Sequence, residues 1–196
     1  SPDERFSEDA LRMLRAVRFA CVLNFDIEKK TFEAIKYNAS RIEHISKERI
    51  QAELNKILMS SKPSRGIRLL LDSKLLDYVL PEISRLSGFN QHNPFHHLEL
   101  LEHTLCVLDK VEPRLQLRLA ALFHDVGKVD TVTLDENGIG HFYGHDSVSE
   151  EITKSVLKRL RYSNEIIELT SQLVRYHMIQ ANVIGKKGIQ KLLRIF

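Results

Sequence analysis

Cysteine is scarce in this chain: the 196 residues hold two, Cys21 and Cys106, far apart and in apolar surroundings. That excludes a disulfide framework and a cysteine-built zinc site, and both thiols are expected to be reduced packing residues. No apolar run reaches the roughly 18 residues of a membrane-crossing helix, and no secretory signal pattern opens the sequence. The cytoplasm is therefore the expected compartment, with no membrane partner. Internal repeats and basic low-complexity tails are missing too. Net charge is only +3, but residues 1–90 carry 16 of the 29 Lys/Arg against 13 of the 26 Asp/Glu. The basic excess lies in the first half, where it points weakly to a polyanion; an ordinary solvated helical surface accounts for it as well.

What is present suffices for one large domain or two small ones, with 43% hydrophobic residues to fill a core. Helical patterns dominate. In "SEDALRMLRAVRFACVL", Ser7 reads as an N-cap with Glu8 and Asp9 in the first turn. "EKKTFEAIKYNASRI", "SKERIQAELNKILMS" and "PSRGIRLLLDSKLLDYVLP" follow as helices, closed by Pro81. The Gly, Asn, Pro and His of "SGFNQHNPFHH" then mark a boundary near 83–93, dividing 1–85 from 86–196. Helices are expected over 97–111 and 114–125, joined by a tight Val-Glu-Pro turn. Asp135-Glu136-Asn137-Gly138 signals a hairpin, and Ser147 with Glu150 fits a capping box opening "SVSEEITKSVLKRL". A helix over about 164–176 ends near His177, and one more begins after it. The expected class is all-α, a helical bundle followed by a helical domain with one small β-hairpin.

Chemistry concentrates in "ALFHDVGK", residues 121–128. Leu115, Leu119, Leu122 and Phe123 form an apolar stripe that leaves His124 and Asp125 at the edge of a buried face. Burying an ionised aspartate is costly unless positive charge compensates it. Gly127 is expected to end the helix in a left-handed turn, leaving free carbonyls and the negative dipole end nearby, a place that favours a cation. His103, on the preceding antiparallel helix, can come alongside. Two imidazoles and a carboxylate suit a divalent transition ion, and the carboxylate also serves magnesium or calcium. The plainer alternative is a capped helix end with a core histidine and a salt bridge to Lys128. His145 stands near a helix start, where backbone amides welcome phosphate, and His177 at a helix end. Each is either a supporting or second-metal group, or else a loop residue and a dipole partner respectively.

His103, then His124-Asp125 with Gly127-Lys128, resembles the signature of the HD superfamily of metal-dependent phosphohydrolases. The resemblance implies His103, His124 and Asp125 as metal ligands and Asp125 and Lys128 as catalytic residues. It also implies a divalent ion that activates water for attack on phosphorus, with Mn, Ni, Mg, Fe, Co and Zn not distinguished by this donor set. The superfamily's distal aspartate has no counterpart, since no Asp occurs after Asp146. Three readings follow: the chain ends before it, His177 replaces it, or the site does not hydrolyse.

"RFSEDALRMLRAVRFA" and "ISKERIQAELNKIL" resemble consecutive motifs of the tRNA nucleotidyltransferase and poly(A) polymerase family, in the order found in bacterial CCA-adding enzymes. With the HD segment, the resemblance spans nearly the whole chain. It implies a neck followed by an HD domain, tRNA as partner, ATP and CTP as substrates of a longer parent, and magnesium in that parent's catalytic head. No strand pair with an Asp-x-Asp is present here, and the sequence opens with Ser-Pro directly before the first motif. The chain reads as a fragment that does not itself add nucleotides.

Asp9 and Arg12 are the expected nucleotide-binding pair. Three apart on a helix, they would present an acceptor beside a donor fork. Adenine and cytosine both offer an amino donor next to a ring-nitrogen acceptor, whereas guanine and uracil reverse that pattern and would leave buried polar groups unpaired. The alternative is a surface ion pair worth at most ~0.5 kcal/mol. For the HD part the expected activity is hydrolysis of phosphoesters such as 2′,3′-cyclic phosphates, or else RNA binding and scaffolding without catalysis.

Overall fold

Apolar residues at helical spacing decide the architecture. A computed structural model describes residues 1–92 and 98–178. The first half runs α1 (Pro2–Glu8), α2 (Leu11–Leu23), α3 (Lys29–Asn38), a 3₁₀ turn (Ala39–His44), α4 (Lys47–Leu58), α5 (Pro63–Asp72), α6 (Leu75–Val79) and α7 (Pro81–Ser84). The second runs α8 (Leu100–Lys110), α9 (Leu115–Phe123), α10 (Lys128–Thr131), β1 (Thr133–Leu134), β2 (Gly140–His141), α11 (His145–Arg159) and α12 (Asn164–Arg175). Among the described residues the only strands are β1 and β2, an antiparallel pair with Thr133 opposite His141. The protein is all-α with one small hairpin, as expected. None of the described helices is long and apolar enough to cross a membrane. The helix expected after His177 lies outside the described residues.

Several local expectations are corrected. Ser7 is not an N-cap: α1 already holds it, Ser1 caps that helix in a capping box, and the Ser7 hydroxyl donates to the Asp3 carbonyl. Asp9 sits between α1 and α2 in extended conformation, so it and Arg12 do not share one helical face. Ser147 lies inside α11, which starts at His145 after Gly144 in the left-handed region, so Ser147 and Glu150 do not open that helix. Cys106 is exposed; only Cys21 is buried, its Sγ 3.1 Å from Ser60 Oγ. The stretch from Pro63 divides at Lys74, whose φ of 62° breaks α5 from α6.

Helix α2 buries Leu11, Met13, Leu14, Val17, Ala20 and Cys21 along one stripe, and packs on α4 and α5. The buried Glu53 of α4 forms an ion pair with the Arg18 guanidinium of α2, N to O 2.6 Å. Across the middle of the chain α5 packs on α8 and α4 on α9, so that one core extends from Phe6 to Val174. Polar ties reinforce that contact: Tyr162 donates to Asn55 at 2.5 Å, Arg159 pairs with Glu82 at 2.8 Å, and Arg85 grips Asp130 through both terminal guanidinium nitrogens.

Gly66 lets α5 approach α4, because a Cβ there would stand 2.2 Å from Ile57 Cγ2. Gly66→Ala is expected to destabilise the fold by about 1–2 kcal/mol: overpacking costs about 1–3, offset in part by the roughly 1 kcal/mol helix preference of alanine. Denaturant unfolding checks this, and adding Ile57→Leu, which removes the clashing Cγ2 methyl, should recover part of the loss.

Candidate metal centre

Five helix ends converge on Asp125. It follows the last turn of α9, a helix whose Leu119, Leu122 and Phe123 are fully buried, and it is itself 3% exposed. His103, from the first turn of α8, approaches Oδ2 at 3.7 Å, and His124 approaches the same oxygen at 3.3 Å. Lys128, at the start of α10, reaches Oδ2 at 2.8 Å. The other oxygen, Oδ1, faces His145 of α11 at 3.3 Å and His177 after α12 at 3.5 Å. The spacing argument that placed His103 beside the His124-Asp125 pair therefore holds geometrically, and His145 and His177 join the same cluster.

The rings are held by the backbone. Nδ1 of His124, His145 and His177 faces the carbonyl oxygen three residues earlier, of Ala121, Phe142 and Val174, at 2.8, 2.8 and 2.6 Å. A ring nitrogen opposite a carbonyl carries the proton, so Nε2 of each neutral ring presents a lone pair to the cluster. His145 Nε2 and His177 Nε2 are 3.2 Å apart beside a carboxylate oxygen. Facing lone pairs repel unless a proton or a cation lies between them. His103 Nε2 and His124 Nε2 are 3.3 Å apart on the other side.

Among the described residues two groups could hold a metal ion, His103/His124/Asp125 and Asp125/His145/His177, with Asp125 common to both. Donor separations of 3.2–3.7 Å fit the edges of a coordination shell whose metal–nitrogen distances are about 2.1 Å. Burial opposes ionisation of Asp125; in the ion-free protein His124, His145 and His177, when protonated at Nε2 as well, donate to it and hold the carboxyl far below its usual range. Burial also opposes a charged His145, but Asp125 and the Phe142 carbonyl raise its pKa.

Gly127 has φ −76°, so it is not the left-handed helix stop expected of it. It is needed for close approach instead: a Cβ would stand 2.6 Å from the His145 carbonyl oxygen and 2.7 Å from the Ser149 nitrogen. Its own N–H donates to Ser149 Oγ at 2.9 Å, docking α11 and hence His145 onto the Asp125 turn. A cavity of about 460 Å³ opens beside Asp125 and Lys128, walled by Phe142 and Tyr143. Those walls carried no sequence signal, because the hairpin residues are brought there only by the fold.

Away from this cluster, Asp9 and Arg12 are engaged separately. Asp9 accepts Arg49 at 2.9 Å and the Leu11 N–H at 3.1 Å, while Arg12 donates to Glu8 at 2.5 Å. Burial works against the Asp9 charge, but the Leu11 and Arg49 hydrogen bonds lower its pKa. Arg49 was missed in the sequence because it is 40 residues from Asp9.

Comparison with known proteins agrees with these motifs. A family model described as "Probable RNA and SrmB- binding site of polymerase A" matches residues 24–86, and the HD domain model matches residues 95–194. The CC-adding tRNA nucleotidyltransferase of Thermus thermophilus is 39% identical over 187 residues, covering 90% of this chain and 43% of that protein. The A-adding tRNA nucleotidyltransferase of Deinococcus radiodurans is 36% identical, covering 91% and 43%, and the multifunctional CCA protein of Aromatoleum aromaticum 34%, covering 97% and 48%. The chain belongs to the tRNA nucleotidyltransferase and poly(A) polymerase family. It spans a little under half the length of these relatives. Within the family's layout it carries the RNA-binding segment and the HD domain, and the Asp125 cluster lies in the latter.

Gly127→Ala should weaken divalent-ion binding by about 10–100-fold without removing any ligand, as loss of a group that orients ligands typically does. Calorimetric titration of the folded variant measures it.

Proposed function

We propose that the HD part of this chain is a divalent-metal phosphoesterase acting on substrates such as 2′,3′-cyclic phosphates, within a longer enzyme that matures tRNA 3′ ends. The observation that carries it is the buried Asp125, whose oxygens each face two imidazole nitrogens. His103, His124 and Asp125 would hold the ion, with His145 and His177 on the other carboxylate oxygen. His177 faces the same carboxylate oxygen as His145, which favours the reading that it serves where the superfamily pattern has an aspartate. A bound divalent ion supplies Lewis acidity and lowers the pKa of water.

The chain's own residues do the rest. Lys128 offsets the charge of Asp125, so the cluster without an ion is near neutral and with one carries a positive surplus that attracts phosphate. Asp125 fixes the position of the attacking water relative to the phosphorus. Water oxygen forms the new bond to phosphorus, one ester P–O bond breaks, and the leaving oxygen takes up a proton. The cavity beside Lys128 admits the substrate.

In the first half, Asp9 and Arg12 are proposed to read ATP and CTP in the full-length enzyme. Asp9 lines a separate cavity of about 490 Å³ with Arg41 and Arg49. Its present partner and that of Arg12 are surface ion pairs, worth about 0–1 kcal/mol, so a base can displace them cheaply. The match of residues 24–86 to an RNA-binding segment favours a second reading, in which the HD part binds RNA or scaffolds without catalysis.

Titration of the metal-free chain with Mn²⁺ and Ni²⁺ is expected to show about one equivalent bound, lost in Asp125→Ala, with hydrolysis of adenosine 2′,3′-cyclic phosphate falling to background in the variant. Hydrolysis that survives both chelation and Asp125→Ala would sink the phosphoesterase, and ion binding without hydrolysis would favour scaffolding. For the first half, Asp9→Ala in the full-length enzyme should abolish the preference for ATP and CTP over GTP and UTP; an unchanged preference in nucleotide-incorporation assays rejects base reading.

A further inference from the structure

The hairpin beside the metal centre carries an aromatic feature for which the cluster has no use. His141 and Tyr143 lie ring over ring, centroids 5.5 Å apart and planes within 5°. The stack is anchored from below. His141 Nε2 pairs with Asp135 Oδ2 at 3.1 Å, and Asp135 Oδ1 accepts the N–H groups of Asn137 at 2.8 Å and Ile139 at 2.9 Å, fastening the turn that joins β1 to β2. Tyr143 is nevertheless 78% exposed. A large aromatic ring supported on one face and open on the other is poorly explained by packing, since burial of its area is what such a ring usually contributes.

Both rings line the same cavity as Asp125 and Lys128. Its volume of about 460 Å³ lies within the roughly 300–1,000 Å³ of small-molecule sites. A ligand filling it has an anionic end at Lys128 and its other end at the hairpin. Flat aromatic rings bind nucleobases by stacking with little sequence preference, because every base offers a π-face.

We propose that Tyr143, supported by His141, is a base-stacking platform that makes the Asp125 site select nucleoside-bearing phosphoesters over base-free ones. The proposal rests on the phosphoesterase reading above and adds the class of substrate. The ring does the binding and the hydroxyl does not, so phenylalanine should serve as well as tyrosine, and any base should serve better than none.

The test uses the whole chain loaded with Mn²⁺. Its substrates are adenosine 2′,3′-cyclic phosphate and glycerol 1,2-cyclic phosphate, which has the same five-membered phosphate ring without a base. Tyr143→Ala is expected to lower the ratio of the two kcat/KM values by about 5–30-fold, chiefly through KM, whereas Tyr143→Phe keeps the ratio. In parallel, saturation-transfer NMR on the metal-free protein should show magnetisation reaching adenine H2 and H8 in the wild type and Tyr143→Phe, and not in Tyr143→Ala. An unchanged ratio in Tyr143→Ala, or adenine contacts that persist in it, overturns the platform. Should the wild type hydrolyse neither substrate, the phosphoesterase reading fails by itself. The NMR arm then decides: adenine contacts that depend on residue 143 sustain the platform, and their absence rejects it.

Discussion

A carboxylate with both oxygens buried, placed just beyond the end of an apolar helix, sets the terms for the second half of this protein. The carbonyl end of α9 adds its own negative potential to Asp125. Left alone, such a charge would cost several kcal/mol even after local relaxation. The fold answers with Lys128 on one oxygen and imidazoles on both, drawn from five helix ends. The last carbonyls of a helix have no partner within it, and a ring N–H at the same end can take one. The carbonyls of Ala121 and Val174 accept in this way from His124 and His177. One set of contacts thus satisfies the helix ends and aims the rings at the carboxylate.

The same arrangement fixes what the cluster can bind. Lys128 already balances Asp125, so the imidazoles are not required as cations. With Nδ1–H committed to the backbone, they are lone-pair donors, and His145 and His177 cannot point those donors at each other without something positive between. A proton and a metal ion compete for that place; burial opposes a charged His145, while Asp125 and the Phe142 carbonyl raise its pKa. The competition is lopsided. One proton bridges two nitrogens at most, whereas an ion of charge +2 engages the imidazoles and the carboxylate together.

Much of this was legible in the sequence, and the boundary of legibility is physical. The apolar stripe of α9 placed His124 and Asp125 at a buried edge, and the short turn before it placed His103 alongside, because both inferences depend on helical period and loop length alone. The hairpin around Asp135–Gly138 was readable for the same reason: Asp135 and Gly138 are local turn chemistry. Errors arose where a local signal had a non-local cause. Gly127 looked like a helix stop, but the absent Cβ matters to α11, some twenty residues on. Ser7 and Ser147 looked like caps, although the helices containing them are capped earlier, at Ser1 and Gly144. Asp9 and Arg12 looked like neighbours on a helix, but the chain bends between α1 and α2, and the partner that Asp9 takes comes from α4.

The break in composition near residues 83–93 marks a change of motif without marking a change of core. Helix α5 presents Ile67 and Leu70 to the interior that also receives Leu101 and Leu105 of α8, all of them almost wholly buried. Arg85 and Glu82, at the end of the first half, are paired with Asp130 and Arg159 of the second. Separating the halves would expose those apolar faces and strand those charges, so the energetics favour one unit. The Asp9 cavity and the Asp125 cluster are consequently fixed in mutual orientation by packed helices rather than by a linker. For a protein whose first half matches an RNA-binding segment and whose second half matches the HD domain, a rigid frame keeps the two in one orientation without the entropy of ordering a flexible joint.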